Sequence, residues 1–157
     1  MTLSFSKKWK DGTPTYFVDK IWEGIIDHKK VTPRHTTVKS KIHTIREDKK
    51  KRWKVGNKIH FVINNRTPKR FQFAPVLLVK SIQEIEIKWH NTILSIAPIV
   101  WINGKVFFDG TNFGEYRNEK GMLILAQNDG FLDVQSFFNW FNEDFAGKII
   151  HWTDQKY

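Results

Sequence analysis

An Asn-Gly pair at positions 103 and 104 is the feature that most restricts the fold of this chain. It separates two apolar runs, Val100-Trp101-Ile102 and Val106-Phe107-Phe108. Asn-Gly supplies the two consecutive positive φ angles of a type I′ turn, which joins antiparallel strands over two residues. The sequence therefore predicts a β-hairpin, which we expect at a sheet edge as an insertion over residues 96–121.

Short apolar runs elsewhere predict further strands, at residues 3–5, 59–63, 76–79, 82–87 and 148–152. Helical spacing occurs in two stretches. The first contains Phe17, Ile21 and Ile25, with Thr13 predicted as N-cap and Pro14 as the first helical residue. The second is predicted from Asp133 to about residue 147. Many short strands and two flanking helices predict an α+β fold, built on a curved sheet or a small β-barrel.

Length and charge limit the function. With 157 residues, of which 40% are hydrophobic, the chain can bury one sizeable core, so a single domain over residues 1–157 is expected. Lys and Arg number 26 against 16 acids, a formal charge of +10. Such a surplus favours a polyanionic partner through counterion release and predicts a nucleic acid or nucleotide ligand. The alternative is a soluble domain whose charge only repels other copies.

Several functional classes are excluded or disfavoured. The chain contains no cysteine, so disulfides, thiol catalysis and thiolate zinc sites are excluded. The six histidines lack the i,i+4 pair with an acid that is typical of zinc hydrolases, and neither a metal nor a cofactor is expected. The first ten residues lack the apolar run of a signal peptide or membrane span. We therefore expect a cytoplasmic protein without a membrane partner.

One segment places an amine, a hydroxyl and a guanidinium within six residues: Lys41, Thr44 and Arg46. Threonine is a weak nucleophile that needs a neighbouring base, and lysine can serve as one only if its pKa falls toward ~7 to 8. On a regular strand positions 41 and 44 point to opposite faces. Lys41 must therefore precede the strand, or a bulge must turn it. The alternative is a solvated lysine, an ordinary strand threonine, and a surface pair of Arg46 with Glu47 or Asp48.

These residues carry a family resemblance, together with a helix ending at Gly24, the turn 53–56 before a strand, and residues 126–131. The chain resembles the ASCH family, a branch of the PUA-like β-barrels associated with RNA. Within that family it is similar to small bacterial amidohydrolases that deacetylate N(4)-acetylcytidine, whose signature is also lysine, then threonine three residues later, then arginine.

The resemblance implies catalytic roles for three residues. Thr44 would be the nucleophile, Lys41 its base and Asp129 the third catalytic group, at a position where the enzymes carry glutamate. Other family members act as ribonucleases or as RNA-binding modules, so a non-catalytic RNA-binding module and RNA cleavage are alternatives. Asp129 could instead cap the helix that follows it.

The basic residues around the motif predict a ligand-binding rim. A basic insertion, residues 27–40, separates Gly24 from Lys41. In the compact enzymes the glycine that closes the first helix lies almost against the lysine. With Arg52 and Lys54 the insertion would grip phosphates, while Arg46 would stabilise an oxyanion. Trp53 is predicted to stack on a base. The alternatives are a solvated basic face and a tryptophan that anchors its turn. The predicted partner is RNA or a modified nucleoside.

Overall fold

The computed structural model describes residues 1–28, 39–93, 96–112 and 117–157. Within these ranges the chain forms three helices and nine strands, which confirms the α+β class. The elements are β1 (Thr2–Ser4), α1 (Phe17–His28), β2 (His43–Arg46), β3 (Lys58–Ile63), β4 (Phe71–Gln72), β5 (Leu77–Leu78), β6 (Ser81–Asn91), β7 (Ile96–Ile102), β8 (Lys105–Asp109), α2 (Glu119–Asn128), α3 (Val134–Trp140) and β9 (Phe145–His151).

The larger sheet is antiparallel, with strand order β2-β9-β6-β7-β8. Its longest strand, β6, pairs with β7 on one side and β9 on the other. Ile85 and Ile87 are buried and Glu84 and Glu86 exposed, the alternation expected of a strand with one face on a core. The predicted turn joins β7 to β8, with φ angles of 50° at Asn103 and 75° at Gly104. The hairpin thus forms two strands of this sheet, and β8 is its edge.

The smaller sheet is built around β3. Strand β1 pairs with β3 in parallel, and β4 and β5 pair with opposite ends of β3 in antiparallel orientation. The described strands form two separate sheets rather than a closed barrel, because no pairing joins β2 or β8 to the smaller sheet.

The first helix begins later than predicted. Pro14 forms an isolated bridge with Lys8, and the amide and hydroxyl of Thr13 both donate to Asp11 Oδ1, at 2.9 and 2.6 Å. These bonds make residues 11–14 a turn. The Thr15 hydroxyl instead accepts from the amide of Phe17, at 3.3 Å, where α1 starts. The helix also continues past Gly24 to residue 28.

The second predicted helix is shorter than expected, and another helix precedes it. Asp133 caps α3 by accepting from the Ser136 amide at 2.7 Å, but α3 ends at Trp140. Residues 145–147, predicted as its end, belong to β9. A Cβ on Gly147 would lie 2.6 Å from the Arg46 carbonyl oxygen, so this glycine serves the close β2/β9 pairing. Helix α2 was not predicted and begins inside the segment assigned to the hairpin insertion.

Two apolar cores lie on either side of the β2/β9 pair. One packs α2 and α3 on the larger sheet and includes Ile45 and Ile149. The other packs α1 on the smaller sheet and includes Ile150. Thr44 pairs directly with Ile150, and residues in register share a face. Thr44 and Arg46 therefore face the second core, whereas His43 and Ile45 face the first.

Candidate functional site

Strand β2 is the edge of the larger sheet, and its free edge is covered by the end of α2. The amide of Ile42 donates to the Asn128 carbonyl at 3.0 Å, and the amide of Ile45 donates to Asp129 Oδ1 at 3.2 Å. Gly130 follows with a φ of 93°, which turns the chain away from β2. Asp129 thus closes α2 and does not cap the following helix, because Asp133 does so.

Lys41 lies just before β2. This is one of the two placements that the alternation of side chains along a strand allows, the other being a bulge. Its side chain is 2% exposed. The ammonium donates to both the backbone oxygen and Oδ1 of Asp129, forming a buried ion pair between residues 88 positions apart. The structure therefore brings together two of the three predicted catalytic residues.

Two glycines allow the backbone to hold Lys41 in this position. The Lys41 amide donates to the Lys20 carbonyl at 2.8 Å, and a Cβ on Gly24 would lie 2.6 Å from the Lys41 carbonyl oxygen. A Cβ on Gly130 would lie 3.1 Å from Lys41 Cδ and 2.8 Å from Phe17 Cε1. Helix α1 and the turn after α2 can therefore close on Lys41 only without side chains at these two points.

Two aromatic rings and two other cations lie around the Lys41 ammonium. Its Nζ lies 5.1 Å from the ring centroid of Phe17 and 6.0 Å from that of Phe5. Burial lowers the pKa of Lys41 to about 8; the Asp129 carboxylate opposes this shift, while Arg46 and Lys20 add to it. Burial also raises the pKa of Asp129. An amine with a pKa near 8 titrates close to neutral pH, as a general base must.

Arg46 ends β2 on the side of Phe5. One guanidinium nitrogen, Nη2, donates to the Ser4 carbonyl at 3.0 Å, and the guanidinium carbon lies 5.4 Å from the Phe5 ring centroid. Burial lowers its pKa. The predicted alternative, a surface pair with Glu47 or Asp48, does not form. Those carboxylates pair with Lys49 at 2.9 Å and Lys148 at 3.4 Å.

Thr44 lies on β2 between Lys41 and Arg46 in sequence and is 2% exposed. Within the described part of the chain, no hydrogen bond joins its hydroxyl to Lys41 or Asp129. The three predicted catalytic residues therefore share one region, but the contact between nucleophile and base is not formed.

The residues predicted to bind a ligand after the motif do not gather at this site. Trp53 is 7% exposed and packs in the core of α1, so its ring is covered and anchors the turn. Arg52 and Lys54 are exposed, and their backbone amides donate to Asp48 Oδ1 and Asn57 Oδ1, both at 2.9 Å. Of the basic insertion 27–40, residues 29–38 lie outside the described residues.

A second buried polar cluster adjoins the first and was not predicted. His43 and His151 are fully buried, with ring centroids 5.3 Å apart. His43 Nε2 lies 2.9 Å from the Tyr157 hydroxyl, which accepts from Asn128 Nδ2 at 2.7 Å. His43 Nδ1 is 3.9 Å from Asp129 Oδ1. The sequence signal for this cluster is a histidine on each of two strands, which becomes meaningful only once their pairing is known.

Burial keeps both imidazoles neutral. It lowers the pKa of His43 well below the usual 6.5, and His151 and Lys41 add to this shift. Burial, together with Lys156, lowers the pKa of His151 to about 4. Burial also raises the pKa of Tyr157 above its usual value. The cluster is therefore uncharged at neutral pH.

A cavity of about 450 Å³ opens on the Arg46 side of the ion pair. Its lining includes Phe5, Lys7, Lys8, Phe17, Arg46 and Trp140. Among the described residues, no group of three or more His, Asp or Glu side chains is arranged to hold a metal ion.

No family model matches the chain, and neither a curated protein nor a solved structure matches it. None of the described helices is long and apolar enough to cross a membrane.

Proposed function

We propose that this chain is a PUA-like domain of the ASCH type that binds RNA or a modified nucleoside and hydrolyses the amide of an N(4)-acetylated cytidine. The observation that carries the proposal is the buried Lys41–Asp129 pair, in which the pKa of the lysine falls to about 8. Its support is that Gly24, the 41–46 segment and Asp129, which carry the resemblance, lie far apart in sequence and meet at one place.

In the proposed reaction Thr44 Oγ1 attacks the acetyl carbonyl carbon while the neutral amine of Lys41 takes the hydroxyl proton. The negative charge that develops on the carbonyl oxygen is stabilised by Arg46. The C–N bond then breaks, and Lys41 returns the proton to the departing N4 of cytidine. Water, deprotonated by Lys41, attacks the acetyl-threonine; the bond from the acetyl carbon to Thr44 Oγ1 breaks, Lys41 returns the proton to Oγ1, and acetic acid leaves and ionises to acetate. Asp129 holds the amine in place throughout.

The hydrogen bonding of Lys41 is compatible with this role. Asp129 accepts two hydrogen bonds from the Lys41 nitrogen, and a neutral lysine amine has two donor hydrogens and one lone pair. In the neutral form that lone pair is available to take the proton of Thr44. In ligand-free enzymes such catalytic hydrogen bonds are often long and tighten when substrate binds. Substrate binding is thus required to bring the hydroxyl and the amine together.

The test is incubation of the protein with N(4)-acetylcytidine, followed by chromatography for cytidine and acetate. Thr44→Val keeps the shape and removes the hydroxyl, so it should lower kcat by about 10³-fold or more. Thr2→Val, at an exposed threonine of β1, is the matched control and should leave kcat unchanged. Full turnover by Thr44→Val would overturn the assignment of the nucleophile.

A non-catalytic RNA-binding module is the second candidate, favoured by the +10 charge and by Lys7, Lys8 and Arg46 at the cavity. It predicts RNA binding that weakens as salt rises, without acetate release. Shortening of an RNA oligonucleotide incubated with the protein would indicate ribonuclease activity instead. Absence of RNA binding would exclude both the RNA-binding module and the ribonuclease.

A further inference from the structure

The cavity beside Arg46 shares two aromatic wall residues with the surroundings of Lys41. Phe5 and Phe17 form part of its wall, and the same two rings contact the Lys41 ammonium. Arg46 lines it as well, and its charge lowers the pKa of Lys41. A ligand in this cavity would therefore contact Phe5, Phe17 and Arg46, which surround Lys41.

The charge of the cavity is one-sided. Lys7, Lys8 and Arg46 line it, and its described lining contains no carboxylate. Arg46 makes no ion pair within the described residues. Its Nε is buried and has no hydrogen-bond partner there. A guanidinium has five donor hydrogens, so several remain for an anionic ligand.

Another cavity on the same molecule shows that this imbalance is local. It measures about 740 Å³ and lies near the β6/β9 strands. Its lining carries four carboxylates, of residues 47, 48, 84 and 86, and three lysines, at 49, 51 and 148. The cations of that cavity are offset by acids, whereas those beside Arg46 are not. The overall charge of the chain therefore does not by itself explain a cavity whose described lining has three cations and no carboxylate.

Aromatic rings and amides complete the lining. Trp9 and Trp140 both line the cavity, with ring centroids 5.6 Å apart and ring planes at 70°. Trp140 is 41% exposed, so part of its ring is open to a ligand. Exposed tryptophan faces bind planar bases by stacking. Asn64 and Asn65 add neutral donors and acceptors suited to sugar hydroxyls.

We infer that the ligand of this site carries a phosphate: it is a nucleoside phosphate, with the phosphate at Lys7 and Lys8 and the base against Trp140. A free nucleoside would leave the three cations without a partner. This inference adds a phosphate to the ligand of the proposed function, and it rests on that function for the identity of the nucleobase, cytosine. The phosphate could belong to a mononucleotide or to an RNA chain, and both offer the same chemistry to the cavity.

The experiment is a titration by calorimetry with cytidine, cytidine 5′-monophosphate, inorganic phosphate and a short RNA without terminal phosphates. The monophosphate should bind at least about tenfold tighter than cytidine, and its affinity should fall as salt rises. Inorganic phosphate should bind more weakly than the monophosphate, because it lacks the base. Tight binding of the short RNA would identify a chain phosphate as the natural group.

Variants localise the effect. Lys7→Gln/Lys8→Gln should remove most of the preference for the monophosphate. The matched control, Lys49→Gln/Lys51→Gln at the charge-balanced cavity, should keep it. Equal affinity for cytidine and its monophosphate, or equal losses in the two double variants, would overturn the inference.

The two proposals can fail separately. Acetate release from N(4)-acetylcytidine tests the reaction, whereas the preference for a phosphate is a binding measurement that needs no turnover. Thr44→Val should lose the first and retain the second.

Discussion

Lys41 and His43 lie two residues apart, and both are buried, yet their charges differ. Lys41 donates to a carboxylate, and its pKa stays near 8. His43 meets a phenol and a second imidazole, and its pKa falls well below 6.5. Burial penalises the charged form of both side chains. Of these two side chains, the one hydrogen-bonded to a carboxylate keeps its proton at neutral pH, and the one beside a phenol and an imidazole is neutral.

The largest effect should come from removing that carboxylate. Asp129→Asn leaves the Lys41 ammonium buried without a counter-charge, which should lower the free energy of unfolding by about 3 kcal/mol in urea denaturation. Glu47→Gln, which breaks the exposed pair with Lys49, is the matched control and should cost less than about 0.5 kcal/mol.

A double-mutant cycle sharpens this comparison. Lys41→Met in the Asp129→Asn background should cost much less than Lys41→Met in the wild type, because the charge has already lost its partner. Additive costs would show that the two side chains do not stabilise each other.

A smaller loss is expected from crowding Lys41 without changing any charge. Gly130→Ala places a methyl group against Lys41 Cδ and the Phe17 ring, whereas Gly12→Ala meets no atom within 4 Å. Both glycines have positive φ, at 93° and 86°, so backbone strain is common to the two variants. Thermal unfolding should show Gly130→Ala to be about 2 kcal/mol less stable than Gly12→Ala. Equal stability would mean that the contact is soft.

The histidine cluster should lower the free energy of unfolding at acidic pH. The pKa of His151 is about 4 in the folded chain and about 6.5 when unfolded, so its contribution to stability is present above pH 6.5 and lost as pH falls through about 4. In His151→Leu, the decline in unfolding free energy between these pH values should be shallower by about 1 kcal/mol per pH unit. Parallel declines in the two proteins would contradict a buried neutral imidazole.

The smallest effect should come from Tyr157, whose hydroxyl contacts His43 as the Asp129 carboxylate contacts Lys41. Tyr157→Phe removes the hydroxyl that contacts His43 and Asn128, and should cost about 1 kcal/mol in urea denaturation. Tyr16→Phe, at a side chain 56% exposed, is the matched control and should be neutral. A neutral Tyr157→Phe would mean that the two buried groups find other partners.

Local chemistry explains which parts of the fold the sequence predicted. The Asn103-Gly104 turn, the alternation in β6 and the place of Lys41 before β2 each depend on neighbouring residues. Helix α2 was missed because Met122 to Leu125 is a continuous apolar run, which does not distinguish strand from helix. The second predicted helix was extended too far because Phe141 and Phe145 continue its apolar spacing, although the chain turns between them.

The site depends on longer-range contacts. Lys41 and Asp129 were paired through the family resemblance, since nothing in either local sequence indicates the other. His43 and His151 become neighbours only through the β2/β9 register, and Tyr157 joins them from beyond β9. Trp53 was assigned to a ligand because cations surround it in sequence, yet its ring turns inward to the core.

The contact between Gly24 and the Lys41 carbonyl has a consequence for how this chain can change in length. The Lys41 amide is also bonded to the Lys20 carbonyl, so both ends of the intervening connection are fastened by contacts that do not involve it. The entropy of closing a flexible loop grows only with the logarithm of its length, by about 0.6 kcal/mol for each doubling. We therefore expect Lys41 to keep its contacts with Lys20 and Gly24 when residues are added or removed between positions 28 and 39.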